Sequence, residues 1–208
     1  MNHFWHGSKP VIGLIGAIGA GKSTAARCFE RSGGKVIDAD TIGHKALEQP
    51  DIIEKIVQRW GDRIKKSDGS LDRRTIARIV FANQEERRAL EFMVFPFIGE
   101  ECKKKIKEAL DDSEIRFVVL DAAVLLEAGW NENVDRIVYI DAPRELRLAR
   151  VSARSGWTEG DLKAREDAQW PVALKKAKSD VVLVNKSDSE ELQQQIDRLL
   201  REWGVLRV

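Results

Sequence analysis

The residues Gly16-Ala17-Ile18-Gly19-Ala20-Gly21-Lys22-Ser23 fit the spacing G-x-x-x-x-G-K-[ST], and Thr24 follows directly. Each glycine costs roughly 0.5–1 kcal/mol relative to alanine inside a regular element, so these residues serve something other than a helix or strand. Successive main-chain amides in such a loop form a nest for an anion, and the positive end of a following helix adds its dipole. Gly19, Ala20 and Gly21 would supply that cradle. Lys22 would reach the β- and γ-phosphates of a nucleoside triphosphate, Ser23 would ligate Mg2+, and Thr24 would add a donor. The context is the one this chemistry needs: a continuous apolar run, 11–15, precedes the loop and an amphipathic helix, 23–31, follows it.

Carboxylates come next. Asp38 and Asp40 close the run Val36-Ile37-Asp38-Ala39-Asp40. Residues two apart on an extended segment point to the same side, so both would face the crevice at the carboxyl end of a strand. One can take the proton of an attacking hydroxyl while the other holds Mg2+ through water. The plainer reading is that Asp40 caps a helix starting near Thr41. Asp121, at the end of Phe117-Val118-Val119-Leu120, is a candidate metal carboxylate, and Glu127 follows in Leu125-Leu126-Glu127. Arg147, Arg150 and Arg154 are spaced to share one helical face. Guanidinium forks match the charge of a phosphoryl group in transfer, and a mobile helical lid carrying them would exclude water. A solvated basic helix has the same pattern.

Two activities fit a phosphate loop: a kinase passing the γ-phosphoryl of ATP to an alcohol, and a GTP-binding switch. Asn185-Lys186-Ser187-Asp188 matches the N-K-x-D pattern that reads guanine. Against the switch, the third strand ends Asp121-Ala122-Ala123-Val124, where D-x-x-G would be needed, and only one helix follows the last strand.

The elements that must position these groups are legible as five apolar runs, 11–15, 35–37, 116–120, 136–140 and 180–184, separated by helical patterns. Such alternation implies an α/β fold with a five-stranded parallel sheet flanked by helices. The first, third and fifth runs read as strands buried on both faces. The long second connection carries helical patterns at 51–60, at 72–81 with Asp72 as N-cap, at 84–94 ending before Pro96, and at 97–110. An Asp-Gly turn signal lies in 65–71. A nucleotide-binding core is therefore expected over 10–45 and 111–208, with a lid at about 143–170 and a helical insertion at 46–110. Residues 1–9 read as a loose tail, with Trp5 able to pack back on the body.

The chain has 208 residues, 43% apolar and 33% charged, a globular balance. With 35 Lys plus Arg against 34 Asp plus Glu, the whole molecule has no pull toward nucleic acid or an anionic membrane. Cys28 and Cys102 match no zinc or redox spacing. With no visible secretory signal or membrane span, a cytoplasmic enzyme is expected, a monomer or weak homo-oligomer.

Taken together, residues 13–29, 36–40, 68–81, 90–98, 118–130, 144–157 and 178–185 resemble the dephospho-CoA kinase family, in order over most of the chain. The resemblance implies a P-loop NTPase fold with a helical substrate-binding insertion and a lid. It implies ATP-dependent, Mg2+-dependent phosphorylation of the ribose 3′-hydroxyl of dephospho-CoA, giving coenzyme A. It places the phosphate cradle on Gly19 through Thr24, the base on Asp40 and a metal or supporting role on Asp38. Leu71 and Arg73 fall in the acceptor-binding insertion, Arg147, Arg150 and Arg154 in the lid, and Asn185 in the adenine loop. The family often has His-Pro where this chain has Phe95-Pro96, which removes a polar side chain there.

Overall fold

The structure, a computed structural model, describes residues 9–186 and 189–206. Five strands form one parallel sheet: β1 (Val11–Gly16), β2 (Gly34–Asp38), β3 (Phe117–Asp121), β4 (Arg136–Asp141) and β5 (Val181–Val184), in the spatial order β2-β3-β1-β4-β5. β1 and β3 are buried along their whole length, as expected for Val/Ile/Leu runs covered on both faces. β5 corrects its expectation. It is an edge strand, and Val182 is 39% exposed, whereas β4, inside the sheet, is buried at its four middle positions. Place in the sheet, which apolar content does not encode, decides the difference.

The chain lays β2 and β3 on one flank of β1, then crosses to the other flank with β4 and β5. That reversal at β1 makes its carboxyl end the switch point where open α/β sheets bind ligands. One face is covered by α1 (Lys22–Arg31) against α9 (Ser189–Glu202). α9 buries Leu192, Ile196, Leu199 and Leu200 at helical spacing, and Phe29 of α1 meets Phe117 edge to face at 6.1 Å. After β4 come α6 (Arg144–Ser155), α7 (Glu159–Glu166) and α8 (Val172–Ala177). α7 is started by a capping box between Thr158 and Asp161, and the Arg165 guanidinium lies 3.8 Å over the Trp157 ring. Lys9, expected in a loose tail, is tied to the carbonyls of Leu110 and Asp112; Trp5 lies outside the described residues.

Two compact units result. One holds the sheet, up to Asp38 and again from Lys103; the other is Ala39–Cys102. The second contains α2 (Ala39–Ala46), α3 (Pro50–Trp60), α4 (Arg73–Ala82) and most of α5 (Gln84–Asp111). Its limits differ from the expected 46–110 because α2 packs within it: a Cβ on Gly43 would lie 3.4 Å from Ile98. The Asp-Gly turn is present, closed by Lys66 N donating to Ser70 O at 2.8 Å beneath a Lys65–Leu71 bridge. Asp72 caps α4 as expected, accepting from the amides of Arg74 and Thr75.

Pro96 does not end a helix; α5 runs through it. A proline inside a helix costs about 3 kcal/mol, partly by orphaning a carbonyl four residues earlier. Here that carbonyl belongs to Phe92, whose residue is largely exposed, while burial of Val94 and Ile98 on either side holds the helix together.

Candidate active site

β1 delivers the chain to the loop at Gly16, and α1 takes over at Lys22. Between them Gly19 and Gly21 adopt φ of +78° and +91°, a region that favours glycine. Space demands glycine as well: a Cβ on Gly19 would lie 2.7 Å from the Arg147 carbonyl oxygen, and one on Gly21 would lie 2.2 Å from Asn185 Nδ2. The Gly21 carbonyl accepts from the amides of Thr24 and Ala25, starting the helix. Lys22 and Ser23, as first helical residues, have amides with no intrahelical acceptor, and no acidic side chain occupies the first turn. The positive end of α1 therefore stands unneutralised toward the loop, which suits an anion.

The carboxylates converge through sheet register. Asp121, last residue of β3, pairs with Leu14 of β1 on one side and Asp38 of β2 on the other. Register neighbours project to the same face, so Asp38 and Asp121 lie side by side at the carboxyl edge. Asp121 is 6% exposed and accepts a hydrogen bond from Lys22 Nζ. Ser23 is exposed beside them and Thr24 half-buried. Asp40 corrects the expectation of two carboxylates on one extended segment: α2 begins at Ala39, so Asp40 sits in its first turn and neither extends β2 nor caps a helix starting at Thr41.

The arginines do not form one solvent-facing row. Arg147 is 7% exposed, donates to the carbonyls of Ala142 and Ile18 at 3.2 Å, and pairs with Glu166. Arg150, half-buried, donates to the carbonyls of Ala20 and Asn185 at 3.3 Å. Arg154 is exposed and touches Ser155. Two of the three thus clasp the loop's own carbonyls, so α6 is fastened along the cradle. Asn185 joins them, buried, with Nδ2 donating to Ala20 O at 2.8 Å and its own amide to Asp141 O. Ser187 and Asp188, the rest of the N-K-x-D match, lie outside the described residues.

Sequence reasoning missed a buried knot beside this site. Lys175, 2% exposed, donates to Glu127 Oε1 at 2.7 Å, Ala123 O at 2.7 Å and Gln169 Oε1 at 3.0 Å. Glu127 Oε1 also accepts from the Trp170 amide at 2.9 Å. Burial pulls the Lys175 ammonium below its ordinary pKa, and the hydrogen bond to Glu127 opposes that pull. The knot fastens the loop after β3 to the segment returning from α7. Its only sequence signal was Glu127, since Lys175 sits in Leu174-Lys175-Lys176-Ala177 and reads as solvated.

Leu71 and Arg73 belong, with Asp40, to the second unit. Leu71 is buried in the bridge to Lys65, and Arg73 donates to Glu48 Oε1 at 3.1 Å and His44 O at 3.3 Å, tying α4 to α2.

The family model described as dephospho-CoA kinase matches residues 10–191. This chain belongs to the dephospho-CoA kinase family. It is 36% identical to the dephospho-CoA kinase of Geobacillus kaustophilus, over 94% of this chain and 97% of that one. A crystal structure from Thermus thermophilus superposes with a TM-score of 0.78 at 33% identity, covering 93% of this chain and 97% of the other. A shikimate kinase from Acinetobacter baumannii shares the fold at a TM-score of 0.57 and 16% identity, covering 94% of each chain. Membership in the dephospho-CoA kinase family decides between the two activities the loop allowed: the protein is an ATP-dependent kinase. Among the described residues no helix is long and apolar enough to cross a membrane.

Proposed function

We propose that this kinase transfers the γ-phosphoryl group of ATP to the ribose 3′-hydroxyl of dephospho-CoA, giving coenzyme A and ADP. The carrying observation is the cluster at the switch point: a glycine-formed anion nest, the open amides of α1, and Lys22 held by Asp121 beside Asp38, in a chain of this family.

The loop amides from Gly19 to Ser23, with Lys22 and Thr24, bind the β- and γ-phosphates. Ser23, Asp38 and Asp121 offer hydroxyl and carboxylate oxygens, the donor set of a hard divalent cation. Mg2+ is commonly held by one or two carboxylates plus phosphate oxygens, and these residues supply the carboxylates. Bound there, Mg2+ would neutralise charge on the phosphates. Asp40 accepts the proton of the 3′-hydroxyl. Arg147 is committed to Glu166 and two carbonyls, so transition-state charge falls to Arg150, and Arg147 fixes α6 on the loop. We assign Leu71 and Arg73 of the 39–102 unit, and Arg154, to binding the acceptor, and Asn185 to the adenine of ATP. The 39–102 unit binds the acceptor and 143–170 acts as the lid. We place the enzyme in the cytoplasm, where ATP is made and thiols such as Cys28 and Cys102 stay reduced, as a monomer or weak homo-oligomer.

Lys22→Ala and Asp40→Asn test these roles. Each should lower kcat by about 10²-fold or more; Asp40→Asn should leave the thermal unfolding curve in place and KM for ATP within about twofold, whereas Lys22→Ala, which strips buried Asp121 of its partner, should also lower the melting temperature while the protein still folds. Wild-type turnover in Asp40→Asn would remove it as the base.

A further inference from the structure

A cavity of about 520 Å³ opens along the first half of the loop; Gln169, Trp170 and Val172 line it together with charged side chains, among them Arg144, Asp167 and the paired Arg147 and Glu166. That volume lies in the range of small-molecule sites, roughly 300–1,000 Å³. Its chemistry is mixed. Trp170 is 38% exposed, a large apolar side chain left open beside Pro171 and Val172. The Gln169 carbonyl oxygen accepts from Lys175 at 3.0 Å, which leaves the amide nitrogen as the donor end of that side chain. Among the described residues the Tyr139 hydroxyl, in a fully buried side chain, has no hydrogen-bond partner. Trp170 is held in place through its backbone, because its amide donates to Glu127 in the Lys175 knot.

The position says which substrate part belongs there. With the adenine of ATP at Asn185, as proposed above, the leaving ADP would lie on the flank of the loop where α1 begins, since Asn185 is bonded there to Ala20 O. In-line transfer then calls for the acceptor beyond the γ-phosphate, toward Gly16 to Ile18, residues that line this cavity. In the acceptor, the reacting 3′-hydroxyl and the purine base are carried by the same ribose ring, so the base must bind within a sugar's width of the transferring group. The amide-containing arm leaves through a diphosphate and extends farther away. We propose that this cavity is the subsite for the acceptor's purine base, stacked on Trp170, with the Gln169 amide donating to a ring nitrogen. The proposal rests on dephospho-CoA being the acceptor.

The test uses the full-length enzyme with Trp170→Leu, Trp170→Phe and Gln169→Leu, each checked by thermal melting. Stacking of a base on an aromatic side chain predicts that Trp170→Leu raises KM at least about fivefold, both for dephospho-CoA and for AMP, which has the base and lacks the arm. KM for ATP should stay within about twofold, Trp170→Phe should stay near wild type, and Gln169→Leu should raise the acceptor KM. A parallel rise in KM for ATP overturns the proposal by assigning the cavity to the donor. A rise for dephospho-CoA without one for AMP overturns it in favour of the arm. A binding measurement separates this subsite from the reaction itself. With a non-hydrolysable ATP analogue and Mg2+ saturating the donor site, adenosine should quench tryptophan emission in the wild type and lose that quench in Trp170→Phe. Quenching that persists in Trp170→Phe sinks the subsite. Failure of the wild type to phosphorylate dephospho-CoA, with that quench present, sinks the functional reading instead.

Discussion

Lys175 places its charge among three acceptors inside the protein, and removing one member of such a buried pair leaves the other charge uncompensated. Lys175→Met should therefore destabilise by about 3–5 kcal/mol. The double variant Lys175→Met with Glu127→Gln should recover a large part of that loss, read from denaturant unfolding of all four proteins in the cycle. Additive losses would mean the two side chains do not act as a pair. Residues of this kind were invisible in the sequence for a physical reason: the acceptors of Lys175 come from Ala123, Glu127 and Gln169, on two separate stretches of chain. Lys22 and Ser23 were legible because their work is done by a loop and helix start contiguous with them. Arg147 shows the middle case. Its spacing was read correctly as helical, but burial against Ile18 and Glu166 gives it a fastening task that spacing cannot signal.

Helix starts carry their own pH signature. Asp72 caps α4, and its carboxyl is held below the ordinary 3.8 first by the Thr75 hydroxyl, which donates to it at 2.7 Å, and then by the Thr75 amide. The folded form thus binds its proton less readily than the unfolded chain. The cap's contribution is complete above pH 3.8 and is lost as pH falls through the lower, folded value. Protection factors in α4, exchange rates corrected for the intrinsic pH dependence of amide exchange, should fall over that acid window in the wild type, and Asp72→Asn, which keeps a capping side chain without the titration, should flatten the response. An equal fall in both proteins would contradict this. The cap was readable because Asp72, Arg74 and Thr75 are near neighbours. The passage of α5 through Pro96 was not, since it depends on tertiary burial of Val94 and Ile98 overriding a local breaker. The exposure of β5 depends on where the sheet ends.

For the molecule as a whole, strand count, strand direction and the loop's place after the first strand followed from alternating apolar runs, whereas the strand order, and with it the switch point at β1, and the division at Asp38 and Cys102 arise from pairings between distant segments. If the loop and α1 grip triphosphate, ATP with Mg2+ must stabilise the fold by linkage, about 2.7 kcal/mol at a hundred times Kd. Calorimetry should show the melting temperature rising with ATP and Mg2+, less on chelation, and little in Lys22→Ala; an unchanged melting temperature in the wild type would count against the cradle. The central claim is where the phosphate goes. Incubated with ATP, Mg2+ and dephospho-CoA, the enzyme should form ADP and one new phosphomonoester in equal amounts, with the phosphorus-31 and proton spectra placing that ester on the ribose 3′-carbon. ADP formed with free phosphate alone, or an ester at any other hydroxyl, would contradict the account.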